Sequence, residues 1–412
     1  MKKSLFLFVF LIYAMTSIGQ TIKVDAEIRS RAEFRDGFRD PLADTLNASF
    51  VNNLRTRINA YYESKDIKSK ISILDTRTYG NTDVSKTGEG LGILEAWGEY
   101  NFAPEIAFSL GRQGLEYDDK RLFSYNNWSN TLGAHDLLLL KYQSSYITIN
   151  VGSAYNNAGD STRFLSPYKQ SYKTLNFIWI GKSFGKVSAS ALWVNDSFER
   201  GKLGDIKTSY RNTIGGNLWL TNKKEPFYFI INGYYQFGRD KQNKSLNTYL
   251  LSATVRQKLS HIFELKLGTD IFSGSDNDIA SDKNHTFTKL YGTNHAFNGS
   301  MEYWATLPSQ GLFDLHAEVS CKFSAQFDIE AAFHRFSTVK RIDAGNRKNI
   351  GSELDITANY TVNSQFTIQG GWSSYFKTKG TDTLKKKTGI DTHFPQWAYL
   401  QLTFKPQFFS KE

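Results

Sequence analysis

The chain is poor in several features that stabilise or anchor other proteins. Its 412 residues contain one cysteine, Cys321, so an internal disulfide framework is excluded. Prolines number only 7, against 31 glycines. After the N-terminus no apolar run approaches the roughly 20 residues of a transmembrane helix. The 7 histidines form no HExxH-like pair. These absences argue against a disulfide scaffold, a helical membrane protein and a zinc protease of the HExxH type.

The N-terminus has the organisation of a secretory signal. Lys2 and Lys3 precede an apolar run over residues 5–15, and small residues follow that run. We therefore predict a signal peptide over residues 1–19 and a mature domain over residues 20–412. An uncleaved N-terminal anchor is the alternative interpretation.

The chain carries a modest excess of basic residues. Its 50 Lys and Arg exceed its 40 Asp and Glu, which gives a net charge of +10. This charge falls to +8 when Lys2 and Lys3 leave with the signal peptide. This excess of positive charge is consistent with an anionic partner. The sequence has no basic tail and no helix-turn-helix pattern that would indicate nucleic-acid binding.

Residues 22–34 show the pattern that recurs along the whole chain. Every odd position is charged and almost every even position is apolar or small. A period of two indicates a β-strand with two different faces. The same alternation predicts about 18 strands. We place them at residues 22–34, 51–63, 67–78, 93–102, 106–113, 135–142, 146–155, 172–182, 186–196, 209–220, 227–237, 248–259, 262–273, 312–323, 325–336, 350–361, 365–375 and 396–404.

The links between these strands alternate in length. Links after even-numbered strands are short, and links after odd-numbered strands are long and polar. This rhythm predicts an all-β protein, a transmembrane antiparallel up-and-down β-barrel with short periplasmic turns and long extracellular loops. A soluble sandwich is the alternative, but it has no reason to sort its links by length. The 38-residue link 274–311 is long enough to fold inward as a constriction. The other long links are 35–50, 79–92, 114–134, 156–171, 197–208, 238–247, 337–349 and 376–395.

In such a barrel the charged faces must point into the lumen. An Arg or Lys facing lipid at mid-bilayer costs about 2–4 kcal/mol. The first hairpin then places Arg29 and Arg31 beside Arg55 and Arg57. Two interpretations stay open: an internal salt-bridge ladder with nearby acidic residues, or a selectivity ring for polyanions. The other basic candidates for contact with a transported anion are Arg112, Arg121, Arg256, Lys258 and Lys266. Inward acidic positions are Glu27, Glu33, Glu95, Glu99, Asp314, Glu318, Asp328, Glu330, Glu353 and Asp355.

Several motifs resemble one known family. The run GRQGLEYDDKRL over residues 111–122 resembles the signature loop of the alginate export porin family, with Trp128 and His135-Asp136 at familiar spacing. Residues 52–57, 95–97, 291–295 and 311–314 fit the same family. The resemblance implies a monomeric 18-stranded barrel in the outer membrane of a Gram-negative bacterium. It also implies an arginine-rich lumen that passes an anionic polysaccharide such as alginate.

The same resemblance places Arg112, Arg121 and residues 118–120 where the signature loop meets the barrel wall. We expect Asp118 and Asp119 to pair with the neighbouring basic residues and fold that loop. Expected partners are the lipid bilayer, an anionic polysaccharide or small anions, and a periplasmic export machinery, but no nucleic acid.

The functional hypothesis is a channel that passes anionic solutes. The alternatives are a general or carbohydrate/anion uptake porin, a barrel enzyme acting on lipid or glycan, and an adhesin or structural barrel. Gly159-Asp160-Ser161 resembles an esterase motif but lacks a strand-to-helix elbow. Glu95 and Glu99 would lie about 13 Å apart on a strand, too far for a glycosidase pair. The acidic loop 276–282 lacks the Gly and closing Glu of an EF-hand. We therefore predict no catalytic residues, no cofactor and no metal site.

Overall fold

The computed structural model describes residues 20–80, 91–157, 159, 167–202, 204–276, 280–293 and 295–411. The predicted signal peptide lies outside these residues. The described residues form twenty β-strands and one short helix. The strands are β1 (Thr21–Asp36), β2 (Ser49–Glu63), β3 (Ile67–Thr78), β4 (Gly92–Ala103), β5 (Ile106–Gln113), β6 (His135–Gln143), β7 (Thr148–Tyr155), β8 (Thr174–Phe184), β9 (Val187–Lys202), β10 (Asp205–Leu220), β11 (Phe227–Arg239), β12 (Ser245–Lys258), β13 (Phe263–Phe272), β14 (Lys283–Asn284), β15 (Leu312–Lys322), β16 (Phe327–Ser337), β17 (Asn349–Asn363), β18 (Phe366–Phe376), β19 (Gln396–Phe404) and β20 (Gln407–Lys411). The helix is α1 (Lys379–Leu384), and its N-cap is Thr378.

Eighteen of the strands form a closed wall. Each pairs antiparallel with the next, and β13 pairs directly with β15. The last wall strand, β19, returns to β1, with Ile28 opposite Phe404 and Asp36 opposite Gln396. The remaining two strands are short: β14 lies parallel to β12, and β20 continues β19 along the first residues of β1. The predicted 18-strand antiparallel barrel is confirmed.

The two faces of the wall differ as the alternation predicts. On β1 the odd residues Glu27, Arg29, Arg31 and Glu33 are buried, while Ile28 is exposed. A soluble sandwich would bury its apolar face, whereas this barrel exposes it, as a wall in contact with lipid does. No helix among the described residues is long and apolar enough to cross a membrane. Outward apolar side chains that are exposed include Ile58, Ile71, Leu110, Leu140, Ile214, Leu251, Leu315, Phe333 and Leu400.

Two of the predicted long links are at least half strand. Residues 197–208 belong largely to β9 and β10, which pair from Leu220 opposite Val187 to Asp205 opposite Lys202. The link 238–247 is similarly shortened by β11 and β12. Polar residues hid these extensions, because beyond the lipid both faces of a strand can meet water. Gly201 has a φ of 106°, and a Cβ there would lie 2.0 Å from the Asp205 carbonyl oxygen, so the close hairpin needs glycine.

The barrel interior is occupied by two links, which we call loop A (residues 114–134) and loop B (residues 274–311). Loop B folds inward, as its length allows, whereas inward folding of loop A was not predicted. Both loops bury apolar side chains against the wall and form one core with it. Loop A contributes Leu115, Leu122 and Phe123, and loop B contributes Phe287, Met301, Tyr303 and Trp304. Wall residues of this core include Leu137, Leu175, Phe177, Leu250, Phe272, Phe336, Tyr375 and Trp397.

Candidate functional site

Four arginines of the first hairpin form a cluster that we call the basic wall: Arg29, Arg31, Arg55 and Arg57. The β1–β2 register sets Arg29 directly opposite Arg55 and Arg57 opposite Glu27. The predicted neighbourhood of the four arginines is therefore confirmed. At the top of the hairpin Phe34 pairs with Phe50.

Two glutamates neutralise part of the basic wall. Glu27 accepts hydrogen bonds from Arg55 and, at 3.3 Å, from Arg57. Glu33 accepts from Arg31 Nε at 3.0 Å and also pairs with Arg35. The salt-bridge interpretation thus holds for these pairs. These two carboxylates cannot neutralise the charge of all the arginines that surround them.

Carbonyl groups of loop A complete the coordination of the basic wall. Arg29 donates to the carbonyl oxygens of Asn127 at 2.7 Å and Ser129 at 2.9 Å. Arg55 donates to the same two carbonyls at 2.9 and 2.8 Å. Arg31 donates to the carbonyl of Trp128 at 3.1 Å, and its guanidinium lies 4.3 Å from the centre of an aromatic ring of that residue. Neutral acceptors of loop A therefore hold Arg29, which has no carboxylate partner among the described contacts, and add to the carboxylate pairs of Arg31 and Arg55.

Four other buried carboxyl groups that face the lumen form what we call the acidic wall: Asp270, Asp314, Glu353 and Asp355. They lie on β13, β15 and β17, and each is at most 6% exposed. Inward orientation was predicted for three of them. Asp270 was missed, although it shares parity with Lys266 on the same strand.

Loop B supplies hydrogen-bond donors to the acidic wall. The Asn298 amide lies 3.2 Å from both Asp270 and Asp314. The backbone N–H of Met301 donates to Glu353 at 2.6 Å, and the N–H of Ser300 donates to Asp355 at 3.3 Å. The carboxylates of the acidic wall thus accept hydrogen bonds from donors of loop B, whereas the arginines of the basic wall donate hydrogen bonds to acceptors of loop A.

Loops A and B also join each other. The backbone N–H of Tyr291 donates to the Leu122 carbonyl at 2.9 Å, and the N–H of Thr293 donates to the Lys120 carbonyl at 3.2 Å. Gly292 lies so close that a Cβ there would be 1.9 Å from the Arg121 carbonyl oxygen. The Trp128 and His295 rings stack with their centres 3.9 Å apart. Two sequence motifs that are far apart in the chain thus meet inside the barrel.

Arg121 connects this loop pair to the wall, where the sequence predicted such a contact. It bonds Asp119 at 2.7 Å and Asp270 at 2.8 Å and is almost fully buried. Burial alone would lower the pKa of Arg121, but the two carboxylates outweigh it and raise the pKa above the ordinary value for arginine. Arg121 is therefore a permanently charged anchor in this structure.

The two aspartates of the signature loop behave differently. Asp119 pairs with Arg121 as predicted. The basic partner predicted for Asp118 is wrong, because Asp118 accepts from neutral donors on the wall. Burial raises the pKa of its carboxyl group, and these hydrogen bonds oppose the rise. The donors are Ser190 at 2.6 Å, Trp179 at 2.9 Å and Tyr234 at 3.1 Å.

The other basic candidates lie apart from the basic wall. Arg256 and Lys258 point inward at the short-turn end, where they donate to carbonyls of residues 223–225. Lys266 pairs with Glu318 at 2.5 Å. Arg112 shares the outward face of β5 with Leu110 and pairs with Asp136, so its predicted inward orientation is wrong. Its parity was hard to assign because β5 has only eight residues.

The residues of the enzyme hypotheses do not converge. His135 is buried and contacts the Tyr172 hydroxyl at 2.8 Å, while Asp136 on the opposite face pairs with Arg112. Asp136 therefore cannot orient His135 as a base, since adjacent strand residues face opposite ways. Glu95 bonds Lys70 and Glu99 bonds Lys141 separately. Residues 160, 161, 277 and 278 of the esterase-like and calcium-like motifs lie outside the described residues.

The comparisons with known proteins agree with this architecture. OccAB4 of Acinetobacter baumannii superposes with a TM-score of 0.63 at 12% identity, covering 95% of this chain and 99% of that one. OpdL of Pseudomonas aeruginosa gives 0.63 at 10% identity, covering 94% and 99%. OccK11 (OpdR) of the same organism gives 0.61 at 10%, covering 94% and 96%. No curated protein matches the sequence.

A closed 18-strand wall with an apolar outside and a polar inside defines the class of porin-like outer-membrane β-barrels. The family model for alginate export matches residues 16–393, and the chain belongs to that family. Family and fold together support an outer-membrane channel rather than an enzyme.

Proposed function

We propose that the protein is an outer-membrane channel for an anionic polysaccharide or its oligomers, with the basic wall as the surface that contacts the passing anion. The observation that carries this proposal is the pairing of Arg29 with Arg55. Like charges directly opposite each other destabilise a sheet, so the pair needs a compensating partner. In the described residues Glu27 pairs with Arg55, and carbonyls of loop A accept hydrogen bonds from both arginines.

A polyanion offers the same groups a stronger partner. Hydrogen bonds from a guanidinium to a carboxylate are roughly twice as strong as neutral ones, and they can be bidentate. A uronate chain entering the lumen would therefore compete with loop A for Arg29 and Arg31. Loop A leaves the basic wall when the anion binds, and the same residues give both closure and selectivity. One chain closes its own barrel through β1 and β19, so a single chain suffices for one pore.

The test is binding and block by oligouronates. The purified barrel in a planar bilayer should pass anions preferentially, and alginate oligomers should block that current. The double variant R29Q/R31Q removes two cations but leaves the Arg55–Glu27 pair in place. We expect its affinity for oligouronates to fall by about tenfold or more, because each lost charge-assisted hydrogen bond contributes about 1.5–3 kcal/mol. Titration calorimetry in detergent measures the affinity for oligouronates without any measurement of current.

The matched control is R112Q, which removes one outward-facing cation near the loop end of the wall. It should bind oligouronates like the wild-type protein. A cation-selective pore, or one whose block by oligouronates is the same in R29Q/R31Q, would contradict the proposal. Equal block by neutral oligosaccharides would instead favour a general uptake porin.

A further inference from the structure

Two histidines face each other across neighbouring wall strands, outside the basic wall. The β15–β16 register sets His316 directly opposite His334. Directly opposed side chains have Cβ atoms about 4.5–5.5 Å apart. Asp314 precedes His316 by two residues and therefore shares its inward face. An antiparallel sheet thus gathers three metal-ligating side chains from two strands.

The ligand atoms of this group are close together. The Nδ1 atom of His334 lies 3.0 Å from both carboxylate oxygens of Asp314. The Nδ1 atom of His316 lies 3.8 Å from Asp314 Oδ2. One ligand atom from each of the three residues falls within 4.8 Å of the others. Ligand atoms around a tetrahedral zinc ion lie about 3.3 Å apart, so small ring rotations would complete the set.

His316 is placed for a ligand that its neighbours do not supply. Its side chain is 11% exposed, yet its Nδ1 atom has no hydrogen-bond partner. The opposite edge of the ring lies over Gly268, where a Cβ would come within 2.2 Å of His316 Nε2. The Nδ1 atom faces Asp314.

The surroundings resemble the outer shell of a metal site. His334 Nε2 faces Asp355 Oδ2 at 3.9 Å, and a carboxylate on the second ring nitrogen is what orients metal-bound histidines. Asn298 of loop B donates to Asp314. A cavity of about 120 Å³ lies beside His334, lined by Glu318, Glu330 and Asp355 among others.

We propose that Asp314, His316 and His334 bind a divalent transition-metal ion of the Zn²⁺ class. Two imidazole nitrogens and one carboxylate suit zinc and its neighbours rather than calcium or magnesium, which prefer all-oxygen sites. The ion ties β15 to β16 and, through Asn298, to loop B. The competing explanation is a plain His334–Asp314 hydrogen bond with no ion. This inference does not depend on the transported solute.

Metal content and cobalt spectroscopy test the site. The full-length protein, folded in detergent, is stripped with a chelator, loaded with Zn²⁺ and desalted, and its zinc is then counted by mass spectrometry. We expect one zinc per chain in the wild type. D314N, H316N and H334N should bind at least tenfold more weakly. Co²⁺ should give the visible absorption of a four-coordinate ion in the wild type only.

The matched control is H261N, which removes an exposed histidine at a short turn and should keep one zinc per chain. Protection from diethyl pyrocarbonate provides a second readout that needs no variant. Zn²⁺ should protect His316 and His334 but leave His261 reactive. Substoichiometric zinc in the wild type, equal zinc in all variants, or no protection would overturn the proposal.

Discussion

The basic and acidic walls hold their loops by opposite chemistry. On the basic wall, arginines donate to backbone carbonyls of residues 127–129 in loop A. On the acidic wall, carboxylates accept from the side-chain amide of Asn298 and the backbone N–H groups of Met301 and Ser300 in loop B. The acidic side also receives a formal cation, Arg121, which loop A carries across the lumen. The arginine side receives no anion from either loop in these contacts.

This difference distinguishes a permanent ion pair on the acidic wall from hydrogen bonds on the basic wall that a ligand can replace. A buried ion pair such as Arg121–Asp270 is costly to break by removal of one partner. Neutral carbonyls on Arg29 can be exchanged for the carboxylates of a ligand at little cost. We infer that loop B and Arg121 stay fixed while the tip of loop A moves.

The largest effect is expected from R121Q. The substitution leaves Asp119 and Asp270 buried without their cation, and breaking such a pair costs about 3–5 kcal/mol. Thermal unfolding in detergent should show a large loss of stability, with higher conductance as the loops separate. K120Q is the matched control, because Lys120 pairs with Glu116 at the surface and contributes under about 1 kcal/mol. Equal stability of the two variants would show that Arg121 is no anchor.

G292A should loosen the junction of the two loops. The added Cβ would meet the Arg121 carbonyl at 1.9 Å, and such overpacking costs about 1–3 kcal/mol. The expected result is more frequent open events in single-channel recordings. G98A is the control, since nothing lies within 4 Å of a Cβ at that position. Wild-type recordings from G292A would mean that the loops move as one unit.

A smaller, pH-dependent effect should come from Lys289 in loop B. Burial lowers its pKa to about 8, despite nearby Asp270. Between about pH 8 and the ordinary lysine value near 10.4, the unfolded chain binds more protons than the folded chain. This contribution to stability therefore rises with pH across that window, and below about pH 8 the cost of the buried ammonium is present in full.

The check is the stability difference between K289M and the wild type. The variant removes the ammonium, so its stability relative to the wild type should be highest at about pH 7. That relative stability should fall as the pH rises toward about 10. Unfolding midpoints measured at several pH values give this difference. A difference independent of pH would contradict a buried, charged Lys289.

The wall of the barrel could be predicted from the sequence because each strand repeats a physical constraint. Lipid on one side of the wall and water on the other require the period-two pattern of residues 22–34. That pattern can be recognised within one strand, without knowledge of the strands that pair with it. The pattern failed where this constraint ends, because residues 197–208 extend beyond the lipid. It also failed on β5, which is so short that the prediction assigned Arg112 to the wrong face.

The lumen could be predicted only in part. The four arginines of the basic wall were found by parity, but the loop A partners of Arg29, Arg31 and Arg55 are 72 to 101 residues away in sequence. Most of these hydrogen bonds go to backbone carbonyls, which every residue has, and the side-chain acceptors are two asparagines whose spacing follows no strand period. The Asp314-x-His316 spacing did carry a signal for a shared face. His334 completes that group only through the β15–β16 register, which the sequence does not specify to one residue.

The most direct test of the basic wall as the surface that contacts the anion is the sign of ion selectivity, measured as the reversal potential across a salt gradient. We expect an anion-selective wild type, loss of that selectivity in R29Q/R31Q, and retention of it in E353Q/D355N. Anion selectivity that survives in R29Q/R31Q but changes in E353Q/D355N would contradict this role of the basic wall, because the acidic wall would then face the passing solute.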